Sequence, residues 1–194
     1  MTALLRKDRS GEISARDMAF RLIREKSFSH RAVNLSSGAS SNFYFDMKFT
    51  MLDPLGANLL AQLVLDKLPR STRIDYVGGL ELGAVPLIGP IVALSYHQDR
   101  PIPGLIVRKE AKKHGSQRLI EGAADLSGKN VVIVDDVTTS GASAMKSIQA
   151  LKEQGANIVL VISIVDREQG ATELYRAEGL PFEPLFRASE FLSS

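Results

Sequence analysis

Asp135 and Asp136 stand side by side at the end of the apolar run Val131 to Val134. The turn after them, Thr138-Thr139-Ser140-Gly141-Ala142-Ser143, is built from small residues, most of them hydroxyl-bearing. Adjacent carboxylates repel each other, so a strand that ends in two of them needs a partner for the charge. Vicinal sugar hydroxyls can donate hydrogen bonds to such a pair, and the pair offsets positive charge growing on a sugar ring. The turn asks for the opposite partner. Where it opens a helix, free backbone N–H groups and the helix dipole favour an anion. Thr138, Thr139, Ser140 and Ser143 add hydroxyl donors, and Gly141 is free to take an unusual φ. An acidic pair alone is more often an ordinary helix cap. Pair and turn together describe a site for a phosphorylated ribose. The stretch is not a Walker A loop, because Gly128-Lys129 is followed by Asn130, and no G-x-G-x-x-G fingerprint occurs.

Positive charge is concentrated elsewhere. Arg108, Lys109, Lys112, Lys113, His114 and Arg118 fall close together against one acid, Glu110. Most charge runs of this kind are solvated surface. The functional reading is a lid that neutralises a polyphosphate and excludes water. Arg167 follows the apolar run Asn157 to Asp166. A guanidinium fork suits a carboxylate or a ring carbonyl, although one arginine after a strand is weak evidence alone.

These strings resemble a known family. Val131 to Ser143 is similar throughout to the signature of type I phosphoribosyltransferases, which bind phosphoribosyl pyrophosphate (PRPP). Arg108, Lys109, Lys112, His114 and Gly115 resemble, position by position, the Arg-Lys-x-x-Lys-x-His-Gly loop of orotate phosphoribosyltransferases. The resemblance implies transfer of phosphoribose from PRPP to orotate. It implies that PRPP is held by Arg108, Lys109, Lys112, His114, Asp135, Asp136, Val137, Thr138, Thr139, Ser140, Gly141, Ala142 and Ser143. Among these, Lys112, Asp135 and Asp136 would be catalytic. The segment from Leu35 to Lys48 resembles the family's pyrimidine-binding segment, which implies that Tyr44 and Phe45, with Thr139 and Arg167, face orotate. Alternation turns at least one of Tyr44 and Phe45 inward. Mg²⁺ carried in on the pyrophosphate is implied, with no dedicated protein cage. A homodimer whose lid loop covers the partner's site is implied as well. Two positions depart from well-known members: Ser36 and Gly83 stand where lysines are frequent. The competing readings are a phosphoribosyltransferase for another base and a non-catalytic PRPP-binding regulator.

The elements that must position these residues can be read from pattern. Asp53-Pro54 is a helix N-cap with proline at the first position, and Leu55, Leu59, Leu63 and Leu68 predict its apolar face. Ser14 predicts another cap. Asn42 to Thr50 alternates as a strand, with Phe43, Phe45 and Met47 on one face. Beyond it, apolar strands alternate with helices, the pattern of a parallel sheet covered on both faces. The expected fold is α/β, a type I phosphoribosyltransferase-like sheet, mostly parallel and flanked by helices. It forms a single domain over residues 1–194, with a small N-terminal hood over about 1–50.

The totals agree with this. The chain has 194 residues, 44% hydrophobic and 24% charged, with net charge +2. That suits one soluble domain and gives no bulk-charge reason to expect nucleic-acid or membrane binding. No cysteine is present, which excludes thiolate metal sites and disulfides and fits a cytoplasmic setting.

Overall fold

The computed structural model describes residues 13–31, 33–34, 40–110 and 119–193. In chain order the elements are α1 (Ala15–Lys26), β1 (Phe28–Ser29), β2 (Val33–Asn34), β3 (Ser40–Ser41), β4 (Tyr44–Phe45), α2 (Lys48–Met51) and α3 (Pro54–Lys67). Then come β5 (Tyr76–Leu80), α4 (Val85–His97), β6 (Gly104–Val107), β7 (Ile120–Glu121), β8 (Asn130–Thr138) and α5 (Ala142–Glu153). The chain continues with β9 (Asn157–Asp166), α6 (Ala171–Ala177), β10 (Phe182–Arg187) and α7 (Ala188–Leu192).

Six strands form one sheet in the order β10-β9-β8-β5-β6-β7. All neighbours are parallel except β7, which returns antiparallel to β6. β8 sits near the centre, and Val131, Val132, Ile133 and Val134 are fully buried. Alternation sends them to opposite faces. Val132 and Val134 pack with residues of α1, α3, α4 and α7, whereas Val131 and Ile133 pack with residues of α5 and α6. Both faces are covered, as a parallel sheet requires.

Capping chemistry fixes the helix starts. Ser14 Oγ accepts the Asp17 N–H at 3.0 Å. Asp53 accepts from Leu55 and Gly56 at 3.0 and 2.9 Å, with Pro54 opening the helix. Two expectations shift. The aromatic stretch is a strand only over Tyr44–Phe45, and from Lys48 the chain turns helical. Asp46 Oδ1 accepts the Lys48 N–H at 3.3 Å, which starts that turn locally. On α3 the buried face runs through Leu59, Leu60, Ala61, Val64 and Leu65, while Leu55 is 52% exposed. Leu55 lies on the first turn, beside exposed Phe49 and Leu52.

A small hood stands beside the sheet. β1 pairs with β4, and β2 with β3, both antiparallel. Phe191 of α7 closes it from below, with its ring centroid 4.4 Å from Phe20, 5.7 Å from Phe28 and 5.2 Å from Phe45. Arg16 of α1 ties the same corner through Glu190 at 2.6 Å and the Leu185 carbonyl at 3.2 Å.

Candidate functional site

The site lies beyond the carboxyl ends of β5, β6, β8 and β9, where open parallel sheets receive ligands. Asp135 and Asp136 are the sixth and seventh residues of β8. Local bonds hold them in order. Asp135 Oδ1 accepts the Asp136 N–H at 3.1 Å, and Asp136 Oδ1 accepts the Val137 N–H at 2.8 Å. Burial, and then the charge of Asp136, push the Asp135 carboxyl up to about 8. A carboxyl that keeps its proton near neutrality can donate a hydrogen bond to a sugar hydroxyl as well as accept one.

Gly83, in the loop after β5, faces this pair. A Cβ there would lie 2.7 Å from Asp136 Oδ1 and 3.2 Å from Asp135 Oδ1. The lysine frequent at this position in the family has no room without displacing Asp136. The bare backbone leaves the carboxylates open from that side.

After β8 the chain bends through Thr139 and Ser140 to Gly141, whose φ is 84°. A side chain would be strained there, and its Cβ would meet the Tyr175 ring at 3.0 Å. Gly141 caps α5 with no side-chain hydrogen bond, so the first N–H groups of the helix keep no internal partner. They open onto a cavity of about 510 Å³ lined by Leu80, Lys109, Glu110, Asp135, Lys146 and Val137 through Ser143. A helix end with no side-chain cap, facing a cavity with two lysines at its wall, suits an anion in charge and geometry. Lys146 escaped the sequence reading. It lies four residues after Ala142, one helical turn on, so helix periodicity was the signal that could have found it.

Arg108 and Lys109 flank this cavity at the end of β6. Lys109 lines it. The Arg108 side chain lies instead against the Glu110 carbonyl at 3.3 Å and Glu81 at 3.8 Å. Lys112, Lys113, His114, Gly115 and Arg118 fall outside the described residues, as does Ser36.

The base-side residues divide. Arg167 follows β9 and is 4% exposed. It donates to Ser41 Oγ at 2.7 Å and lies 4.3 Å over the Phe43 ring, and among the described residues its buried Nε has no partner. Burial lowers its pKa without threatening its charge. An unpartnered guanidinium donor, already held at one end, is free to take a planar acceptor. Tyr44 is half-buried, with the Arg31 guanidinium 4.6 Å over its ring. Phe45 is turned into the aromatic core and is 4% exposed. Of the expected pair only Tyr44 retains an accessible face. Phe43 and Ser41, which the sequence reading left out, are the hood residues that touch Arg167. Alternation was the signal available: Ser41, Phe43 and Phe45 share one parity, and the first two lie ahead of the short strand β4.

Among the described residues no group of three or more His, Asp or Glu could hold a metal. One acidic pair beside an open cavity fits a cation that arrives with substrate oxygens and needs few protein ligands.

A phosphoribosyl transferase domain profile matches residues 54–177, from α3 to the end of α6. An orotate phosphoribosyltransferase of Rhodopseudomonas palustris is 53% identical over 176 residues, covering 89% of this chain and 94% of the relative. The chain belongs to the orotate phosphoribosyltransferase family. Solved structures agree. The Mycobacterium tuberculosis orotate phosphoribosyltransferase in complex with Fe(III) dicitrate is 35% identical, covers 92% of this chain and 99% of its own, and superposes with a TM-score of 0.78. The same enzyme in complex with PRPP is 31% identical, covers 92% and 99%, and gives 0.75. The fold is therefore that of type I phosphoribosyltransferases. In this orotate phosphoribosyltransferase family member the domain profile covers the phosphate cradle and β9, while the hood that carries Tyr44 lies before its first residue.

Proposed function

We propose that the protein transfers the 5-phosphoribosyl group of PRPP to orotate, giving orotidine 5′-monophosphate and pyrophosphate, a step of pyrimidine synthesis. The observation that carries this reading is the acidic pair of β8, Asp135 buried and Asp136 half-buried, set against the glycine-led start of α5, which has no side-chain cap. The bond from ribose C1 to pyrophosphate breaks, and the bond from C1 to the ring nitrogen forms. Thr139, Ser140 and the first N–H groups of α5 hold the 5′-phosphate. Asp135 and Asp136 hold the ribose hydroxyls, and the carboxylate charge of the pair offsets the charge that grows on the ring. Lys109, with Arg108, Lys112 and His114, stabilises the leaving pyrophosphate. Arg167 and Tyr44 orient the base. Preorganised charge and positioning supply the rate, with no covalent nucleophile. Mg²⁺ enters bound to pyrophosphate oxygens as part of the substrate.

The working unit is a homodimer in which the basic loop of one subunit serves its partner's site. Phe49, Leu52 and Leu55 support an interface on α2 and the start of α3. They are 64%, 70% and 52% exposed and close along the chain. Apolar groups gathered on one surface mark contact sites. Among the described residues no helix is long and apolar enough to cross a membrane. Phosphorylated substrates are retained inside cells, so the working compartment is the cytoplasm.

The test is loss of orotate absorbance with PRPP, with and without Mg²⁺, beside parallel runs with uracil, hypoxanthine and adenine and with Lys112→Ala. The expected result is Mg²⁺-dependent turnover of orotate that falls at least about a hundredfold in the variant. Binding of PRPP without turnover of any base would overturn the reading.

A further inference from the structure

A carboxylate at the mouth of a polyphosphate site is out of place unless its charge is engaged. Glu81 is such a group. It follows the last residue of β5, in the loop that carries Gly83 against the acidic pair. Its backbone N–H donates to the Val107 carbonyl at 2.8 Å, which extends the β5–β6 ladder by one bond. Its side chain then reaches past the end of β6. Oε1 accepts the Lys109 N–H at 3.0 Å, and Oε2 lies 3.8 Å from Arg108 Nη1. One residue thus grips the neighbouring arm twice, by backbone and by side chain. The arm it grips begins the basic stretch, and Lys109 lines the cavity that holds Asp135 and the α5 turn.

We propose that Glu81 is a positioning residue: its carboxylate fixes the backbone of Lys109, and so aims the Lys109 charge at the leaving pyrophosphate. The inference rests on the transfer reaction proposed above. Its physical basis is that a lysine on a free arm loses rotamer and backbone freedom whenever it meets an anion, and an arm already fixed loses less. Glu81 neutralises little of the useful charge, because its closest contact is to a backbone N–H and the Arg108 separation is long.

Glu81→Ala removes the acceptor, whereas Glu81→Gln keeps an acceptor oxygen and removes the charge. In Glu81→Ala the KM for PRPP is expected to rise about five- to tenfold, the range of one net hydrogen bond, with kcat and the KM for orotate changed less than twofold. Glu81→Gln is expected to recover most of that loss. A second readout does not depend on activity. Hydrogen exchange of the Lys109 amide in the ligand-free protein is expected to accelerate about tenfold in Glu81→Ala, while the Glu81 amide, bonded to Val107, keeps its protection. If the wild-type protein turned over no base, the proposed function would fail and the exchange experiment would still judge the anchor. An unchanged Lys109 amide overturns the proposal whatever KM does. So does faster exchange with an unchanged KM for PRPP, or equal losses for PRPP and orotate.

Discussion

Asp135 concentrates the conflict between stability and function in one side chain. Folded, its carboxyl is pushed up to about 8 by burial and by Asp136. Unfolded, it ionises near ~3.9. The folded form therefore keeps a proton that the unfolded form releases. Its contribution to stability is complete below about pH 4 and drains away as pH rises through about 8. Asparagine has nothing to ionise. Asp135→Asn is thus expected to gain thermal stability over the wild type progressively between pH 5 and 8, and to lose turnover at every pH. Melting curves across that range check it, and parallel pH profiles for the two proteins would contradict it. The identity of this residue was plain in the sequence, because two acids ending an apolar run have few explanations. Its protonation was not, since that depends on how deeply β9 and Tyr175 close over it. Phe45 shows the same limit. Alternation said that one of Tyr44 and Phe45 turns inward, but only the aromatic contacts of Phe191 decide which.

At the level of elements, the site is a meeting of strand ends with one helix start, and both were legible. Apolar runs of β length and the glycine before Ala142 required no tertiary knowledge. The hood was harder to read. Its ladders are two residues each, too short to show a period, and the expected strand through Thr50 stops at Phe45 because Asp46 starts a helical turn. What holds the hood is α7, a short helix with no sequence link to it. Phe191 is 1% exposed, stacks on Phe20, and meets Phe28 at a tilt and Phe45 edge to face. Phe191→Ala is expected to cost about 3–5 kcal/mol by chemical denaturation. It should also raise the KM for orotate more than that for PRPP, because the hood carries Ser41 and Phe43 to Arg167 while the cradle stands on the sheet. Equal changes in the two constants would show that the hood does not serve the base side.

At the level of the whole molecule, the sheet carries the acidic pair and Lys109 at one end, and α2 with the start of α3 presents exposed apolar groups. Leu52 is 70% exposed and does not line the cavity at the start of α5. Leu52→Asp is expected to shift sedimentation from dimer to monomer without lowering the melting temperature of the isolated subunit. Turnover should fall with it, since each site would lose its partner's loop, and an unchanged sedimentation coefficient would place the interface elsewhere. Fold class followed from the alternation of strands and helices. The exposed apolar face did not, because Leu55 looked like part of the buried stripe of α3 until the packing of Leu59 and Val64 fixed the helix rotation. Arg16 of α1 and Glu190 of α7 clasp two helices that lie far apart in the chain, so the floor of the hood is a long-range contact closed by one ion pair and a cluster of rings. Such a corner opens more readily than a buried central strand, and limited proteolysis is expected to nick α7 while β8 stays intact.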